Sequence, residues 1–252
     1  MILGSSFQNC PTLREIRDQG ACGSCWSVSP IENFRHRICI HSNGKNHVRL
    51  SAVDLISCCN YCGNGCHGGD PYEAWNYWMQ NGIVSGGPYN SNQGCRPYEF
   101  ASCDHIMNGT RPPCGDYLPT PGCIQKCEDS YNVPYGKDLN FGSDVYSVGE
   151  DETQIQLEIL KNGPVETDFV VYEDFLQYKS GVYQHEKGGY LGGHAVKILG
   201  WGVDKTTKTP YWIIANSWNS DWGENGYFRM LRGRNECLIE SGIVAGIPKL
   251  NK

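Results

Sequence analysis

Along the first third of the chain the apolar positions recur at helical spacing, and along the last third they fall into short runs between turn residues. Ile31, Phe34 and Ile38 share one face at a period near 3.6, which predicts a helix running on from Cys25. Pro30 lies inside that helix, where it removes a backbone donor to the carbonyl of Trp26 at a cost of about 3 kcal/mol, so a local distortion is expected. Ser51 reads as the cap of a second short helix, and residues 71–81 read as a third, ended by Gly82. From 86 to 142 the periodicity dissolves into Pro, Gly, Asn and Cys, the composition of a loop-rich insertion. Residues 153–161 form one more predicted helix, stopped by Asn162-Gly163-Pro164. Strand-like runs follow at 165–171, 194–200, 211–216 and 226–231. The expected fold class is α+β: one domain over 1–252, helical in its first half and mostly sheet in its second, with a cleft between two packed subdomains.

Composition narrows the function more than it changes this outline. The chain has 252 residues, enough to bury a substantial core, and its 31 glycines and 13 prolines suit a loop-rich globular fold. A formal charge of −6 argues against nucleic acid as a partner, because phosphate binding needs a basic face. No apolar run approaches the roughly 20 residues of a membrane helix, so no membrane partner is expected. The start, Met1-Ile2-Leu3-Gly4, is too short for a secretory signal and no cleavage site follows, so a secreted form would be expected to carry its signal and any pro-segment on a precursor. Fourteen cysteines, by contrast, are many for this length and predict a disulfide framework and an oxidising compartment. The rival is zinc, since Cys58, Cys59, Cys62 and Cys66 have ligand-like spacing, but no second cluster has paired spacing. No metal and no cofactor are therefore expected. Six disulfides would leave two thiols, one of them Cys25.

Three segments carry candidate chemistry: Gln19-Gly20-Ala21-Cys22-Gly23-Ser24-Cys25-Trp26, Gly192-Gly193-His194-Ala195-Val196 and Asn216-Ser217-Trp218. A thiolate is a far better nucleophile than a thiol, and a helix N-terminus beside a proton-accepting histidine favours it. Cys25 begins the first predicted helix, and His194 lies far along the chain on a β-rich run, where it can face Cys25 across a cleft. Asn216 would fix the imidazole tautomer, and the Gln19 amide with the Cys25 N–H would hold an oxyanion. The histidines at 36, 41, 47, 67 and 185 are expected to be solvated.

The segment around Cys25 matches the C-G-[SA]-C-[WY] signature of papain-like cysteine proteases. The chain resembles the cathepsin B-type members of that family nearly throughout. Cys95-Arg96-Pro97-Tyr98, the 108–114 stretch ending in Pro112-Pro113-Cys114, Tyr178 to Tyr183, and Gly200-Trp201-Gly202 carry the likeness outside the active site. The separation of Cys25 from His194 exceeds the usual 130–150 residues or so, and the Cys-rich insertion accounts for the excess. The resemblance implies a papain-like fold. Its parts would be a helical left subdomain over 10–85, an insertion over 86–142 with an occluding-type loop at 103–114, and a β-barrel-like right subdomain over 143–252. It implies catalysis by Cys25, His194 and Asn216, with Gln19 in the oxyanion hole. Gly68, Gly69, Pro71, Ala195 and His105 would line the substrate cleft, and Trp218 would shelter the Asn216–His194 contact. It also implies disulfides Cys10–Cys39, Cys22–Cys66, Cys58–Cys123, Cys59–Cys62, Cys95–Cys127 and Cys103–Cys114, with Cys237 free.

Several positions depart from the family pattern. Relatives carry two adjacent histidines in the occluding loop to receive a substrate's C-terminal carboxylate, whereas this chain reads Asp104-His105-Ile106. The anchoring pairs, His105 with Asp18 and Arg111 with Asp221, are present. The expectation is a loop that docks but grips a carboxylate poorly, hence mainly endopeptidase activity with weak dipeptidyl carboxypeptidase activity. At the base of the S2 pocket Gly242 replaces a glutamate, which predicts a hydrophobic P2 preference, while Asp168 replaces a small residue and could supply a displaced acid. The segment before Cys10 is short and lacks the family's Phe-Asp-x-Arg stretch. Asn108-Gly109-Thr110 is a glycosylation sequon consistent with a secretory route. The expected partners are polypeptide substrates, the enzyme's own pro-segment and cystatin-type inhibitors. A monomer is expected, in a lysosomal or other acidic compartment or secreted. The alternative is a non-catalytic protease-like binding protein, which the retained Cys25, His194 and Asn216 argue against.

Overall fold

The computed structural model describes residues 9–105 and 109–250. Six helices are α1 (Cys25–His41), α2 (Ala52–Cys58), α3 (Pro71–Gln80), α4 (Tyr135–Asp138), α5 (Glu152–Asn162) and α6 (Glu173–Leu176). Seven strands are β1 (Gly142–Ser147), β2 (Val165–Tyr172), β3 (Val182–Tyr183), β4 (Tyr190–Val203), β5 (Pro210–Ala215), β6 (Tyr227–Leu231) and β7 (Val244–Pro248). They form one mixed sheet in the order β1-β7-β2-β4-β5-β6-β3, antiparallel except for β3 against β6. The sequon residue Asn108 and the substituted position Ile106 lie outside the described residues.

Local chemistry explains the helix boundaries. The Ser51 hydroxyl accepts from the Asp54 N–H, and the Asp70 carboxylate accepts from the N–H groups of Tyr72 and Glu73 ahead of Pro71. Asp151 caps α5 in the same way, and Gly163, at φ +103°, takes a backbone conformation that ends it. The helix α1 runs through Pro30 as one element. Its side chains from Trp26 to Ile40 are all buried, so packing on every side offsets the missing hydrogen bond.

Among the described residues two large apolar clusters, with a small third around Cys10, Leu13, Cys39 and Ile40, fill the interior. One gathers Trp26, Ile31, Phe34, Ile38, Leu55, Trp75 and Trp78 from the helices. The other gathers Phe169, Phe175, Val196, Trp212, Trp222 and Phe228 from the sheet. Charged residues join them: Arg37 donates to Glu158 and to the carbonyls of Pro164 and Gly246, tying α1 to α5 and β7.

Within this junction His36 departs from expectation. It is fully buried, with Nε2 2.8 Å from the Thr12 carbonyl and Nδ1 3.2 Å from Lys197 Nζ. A helix buried on all sides leaves no face for a solvated histidine. Burial, with Lys197 and Arg35 beside it, holds the His36 imidazole well below the ordinary range. His185 is also engaged, stacked 3.7 Å from the Tyr172 ring and paired with Asp174.

Six disulfides join Cys10–Cys39, Cys22–Cys66, Cys58–Cys123, Cys59–Cys62, Cys95–Cys127 and Cys103–Cys114. The four cysteines considered for zinc are thus all oxidised, which removes the thiolates that a metal would need. Cys25 and Cys237 are free thiols. Among the described residues between 86 and 142 only α4 is regular, and one disulfide, Cys58–Cys123, ties that long insertion to α2, while the Thr120 hydroxyl accepts from the Cys66 N–H.

Candidate active site

Cys25 is the first residue of α1, and no side chain caps that helix end. Ser24, the residue before it, is occupied elsewhere: its hydroxyl lies 3.0 Å from the Tyr98 hydroxyl. The N–H groups of Ser27 and Val28 return to the Ser24 carbonyl, so those of Cys25 and Trp26 remain for the thiol. The Ala195 N–H reaches Cys25 from β4, across the cleft. His194, one residue earlier on β4, lines with Cys25 the same cavity of about 330 Å³.

The His194 ring is fixed by its second nitrogen. Nε2 lies 2.7 Å from Asn216 Oδ1, and that oxygen also accepts the Ser217 N–H at 2.8 Å. The backbone donor decides which way the Asn216 amide points, so His194 must donate from Nε2. Nδ1 is then left as the proton acceptor on the cleft side. Trp218 lies over this contact, its ring 4.8 Å from that of His194.

Electrostatics act on the two groups jointly. Burial pushes the Cys25 thiol up, opposed by the N–H groups of Ala195, Trp26 and Cys25 itself, and partial exposure to the cleft moderates the push. Burial also pushes His194 down to about 4, against the Asn216 bond that raises it. Each charge alone is thus costly. Moving the thiol proton to His194 creates both charges together, and their attraction, with the helix N-terminus, favours the thiolate–imidazolium pair.

Gln19 is held from both ends. Its Nε2 donates to the Cys22 carbonyl at 2.9 Å, and its Oε1 accepts from the Ser217 hydroxyl at 2.7 Å. One amide hydrogen remains beside the nucleophile. Gly68 has φ +100°, and a side chain at Gly69 would strike the Trp26 ring, so this stretch must be bare backbone. Pro71 lies just beyond, opening α3. On the facing strand Asp168 pairs in register with Ala195 and is exposed. Its Oδ1 lies 3.5 Å from the point where a Gly242 side chain would begin. Partial desolvation against the cleft wall, together with the nearby Asp70, raises the Asp168 carboxyl.

The loop closed by Cys103–Cys114 forms one end of the cleft. His105 Nε2 lies 2.7 Å from Asp18 Oδ1, and its ring stacks on the other side of the catalytic neighbourhood, 5.8 Å from Trp218. Asn219 donates to both Asp18 and the Cys103 carbonyl and accepts from Arg111, which also pairs with Asp221. Burial raises the Asp18 carboxyl, but the His105 bond, its charge and the Gly20 and Asn219 donors outweigh it and hold the group low.

The structure therefore brings together Cys25, His194, Asn216, Gln19, Gly68, Ala195, Trp218 and His105 around one cleft, with Gly69, Pro71, Asp168 and Gly242 further along it. Sequence reasoning missed Ser217 and Asn219, which orient Gln19 and Asp18. Their adjacency to Asn216 was the only available signal. It also missed His67 and Tyr117, which line the same cavity.

Known proteins resemble this chain over nearly all of its length. Residues 5–247 match the papain family cysteine protease profile. A cathepsin B-like cysteine proteinase of Schistosoma japonicum is 52% identical over 244 residues, which are 96% of this chain and 71% of that protein. Cathepsin B-like cysteine proteinase 5 of Caenorhabditis elegans is 53% identical over 251 residues, 97% of this chain and 72% of that protein. The solved structure of procathepsin B S9 from Trypanosoma congolense superposes with a TM-score of 0.86 at 41% identity, covering 99% of this chain and 77% of that one. The chain therefore belongs to the papain family of cysteine proteases, among its cathepsin B-like members.

Proposed function

We propose that the protein hydrolyses peptide bonds in polypeptides through a Cys25 thiolate, acting mainly as an endopeptidase. The observation that carries this reading is the His194–Asn216 bond of 2.7 Å, which leaves Nδ1 toward the cleft that also holds Cys25. The Cys25 sulfur attacks the scissile carbonyl, and the oxyanion is received by the Cys25 N–H and Gln19 Nε2. The imidazolium gives its proton to the departing amine as the C–N bond breaks, leaving a thioester. Water then attacks the thioester, His194 takes its proton, and the thiolate is expelled as the product acid leaves. Cleavage in an acidic compartment or after secretion fits the six disulfides, and the pro-segment and cystatin-type proteins are the proposed regulators.

The docked loop shortens the cleft, but its His105 is committed to Asp18, which supports weak rather than strong carboxypeptidase activity. At P2 a hydrophobic side chain is the first reading, from the absence of an acidic side chain at position 242 itself, where Gly242 stands. The Asp168 carboxylate beside that position favours a second one, in which a basic P2 group is also accepted. Titration with an epoxide inhibitor of papain-like enzymes tests the core proposal. Stoichiometric labelling of Cys25, lost in Cys25→Ser, is expected; a folded protein that stays unlabelled refutes it. Substrates with free and amidated C-termini test the rest, and a strong preference for the free acid would overturn the endopeptidase assignment.

A further inference from the structure

The cleft wall beside Cys25 carries an aromatic pair with no part in the chemistry above. His67 and Tyr117 meet edge to face, with ring centroids 6.0 Å apart at 86°. They come from segments fixed against the nucleophile loop. The Leu118 N–H donates to the Ala21 carbonyl at 2.8 Å, the Cys66 N–H donates to the Thr120 hydroxyl at 2.9 Å, and the Gly23 N–H donates to the Cys66 carbonyl at 2.7 Å. Tyr117 lies so close to Gly23 that a side chain there would begin 3.0 Å from the tyrosine ring. Gly23 is two residues from Cys25, and His67 immediately precedes Gly68. The pair thus stands between the nucleophile and the bare backbone at Gly68–Gly69. Despite these anchors Tyr117 is 58% exposed, an uncommon state for a ring held this firmly, and the exposed part faces the cavity that Cys25 lines.

We infer that His67 and Tyr117 form the wall that selects the side chain on the acyl side of the scissile bond, and that they select an aromatic one. This rests on the peptidase reading for its orientation. A peptide whose carbonyl sits at Cys25 and whose preceding backbone lies along Gly68–Gly69 places the P1 side chain against that wall. Two rings at right angles offer an edge and a face, and a third ring can pack against either. A basic P1 group finds no counter-charge, because among the described residues no carboxylate lines this cavity. The firm anchoring keeps the two rings in place before substrate arrives, so little ordering is lost on binding.

The test compares peptides identical except at P1, with Phe, Ala or Arg, in two ways. The first is kcat/KM per titrated Cys25. The second is Kd of the matching product peptides on the Cys25→Ser protein, which needs no chemistry. Phe is expected to exceed Arg by about tenfold in both measures, the size of a well-filled aromatic contact. In Tyr117→Ala the ratio of Phe to Ala should fall about fivefold or more, and in His67→Asn by a smaller factor. Both substitutions lie on the surface, so folding is not at stake. Equal Kd values for Phe and Arg peptides, or a preference that survives both substitutions, overturn the inference. Binding with the expected preference in a protein that fails to cleave would refute the peptidase reading and leave the aromatic wall standing.

Discussion

Two histidines stand over the same tryptophan and are held in opposite ways. His194 lies 4.8 Å from the Trp218 ring and His105 lies 5.8 Å from it. His194 is tied to a neutral amide, Asn216, deep in the cleft, whereas His105 is tied to a carboxylate, Asp18, at the root of the insertion loop. The amide orients its ring without fixing a charge, so that histidine is free to take and return a proton. The carboxylate holds its ring at the base of the loop, which suits a clamp. One site is built for exchange and the other for attachment.

Breaking the first histidine should have the largest effect. His194→Ala is expected to lower kcat/KM by about a thousandfold or more with folding intact, as for members of other catalytic triads. Asn216→Ala and Gln19→Ala should each cost about a hundredfold, chiefly in kcat, because they remove orientation or one oxyanion donor. Thermal unfolding of the same variants separates loss of chemistry from loss of fold.

Asp18→Asn attacks the clamp instead. It removes a buried charge that accepts from His105, Gly20, Cys103 and Asn219, and should weaken loop docking by about 2 kcal/mol. The expected result is faster cleavage of long substrates, with epoxide labelling of Cys25 unchanged. The folded-state Asp18 value is depressed, so its contribution is present above the ordinary aspartate value of about 3.9 and is lost as pH falls through the lowered one. Hydrogen exchange at 103–114 as a function of pH would show the loop opening only in strong acid.

A further group sharpens the contrast. Glu166 on β2 is fully buried, its Oε2 bonded by Ser29 and Asn33, and burial holds its carboxyl well above the ordinary range. A raised folded value gives stability that is present at low pH and is lost as pH rises. Glu166→Gln, which imitates the protonated form, is therefore expected to raise the melting temperature near pH 7 more than near pH 4. The smallest effect is expected from Arg111→Ala. Its pair with Asp221 is about one-third exposed on each side, so it should contribute under about 1 kcal/mol and fade with salt.

Much of this was legible along the chain. The cap at Ser51 and the stop at Gly163 are local chemistry, and they placed the start of α2 and the end of α5 within a residue or two, whereas the Asp151 cap of α5 was not read from the sequence. The strands β2, β4, β5 and β6 showed through their apolar runs between turns. Strand β1, largely exposed, and β7, in a Gly-containing tail, did not, since what makes them strands is each other: they pair from Gly142↔Pro248 to Ser147↔Val244. His36 was misjudged for a related reason. A polar residue on a helix reads as solvated until packing buries that helix on every side.

The sequence by itself determined the candidate residues and their order: a cysteine at a helix start, a histidine opening an apolar run, an asparagine before a tryptophan, and cysteines enough to staple a long insertion. Those are properties of residue type and short spacing, which the chain carries unaided. Only the tertiary structure decided which nitrogen of His194 is tied, where the Asp168 carboxylate lies relative to Gly242, and that Tyr117 stands beside His67 next to Cys25. Those are contacts between residues tens to hundreds of positions apart. They exist because two apolar cores pack around one cleft, and a linear pattern holds no record of which side chains that packing brings face to face.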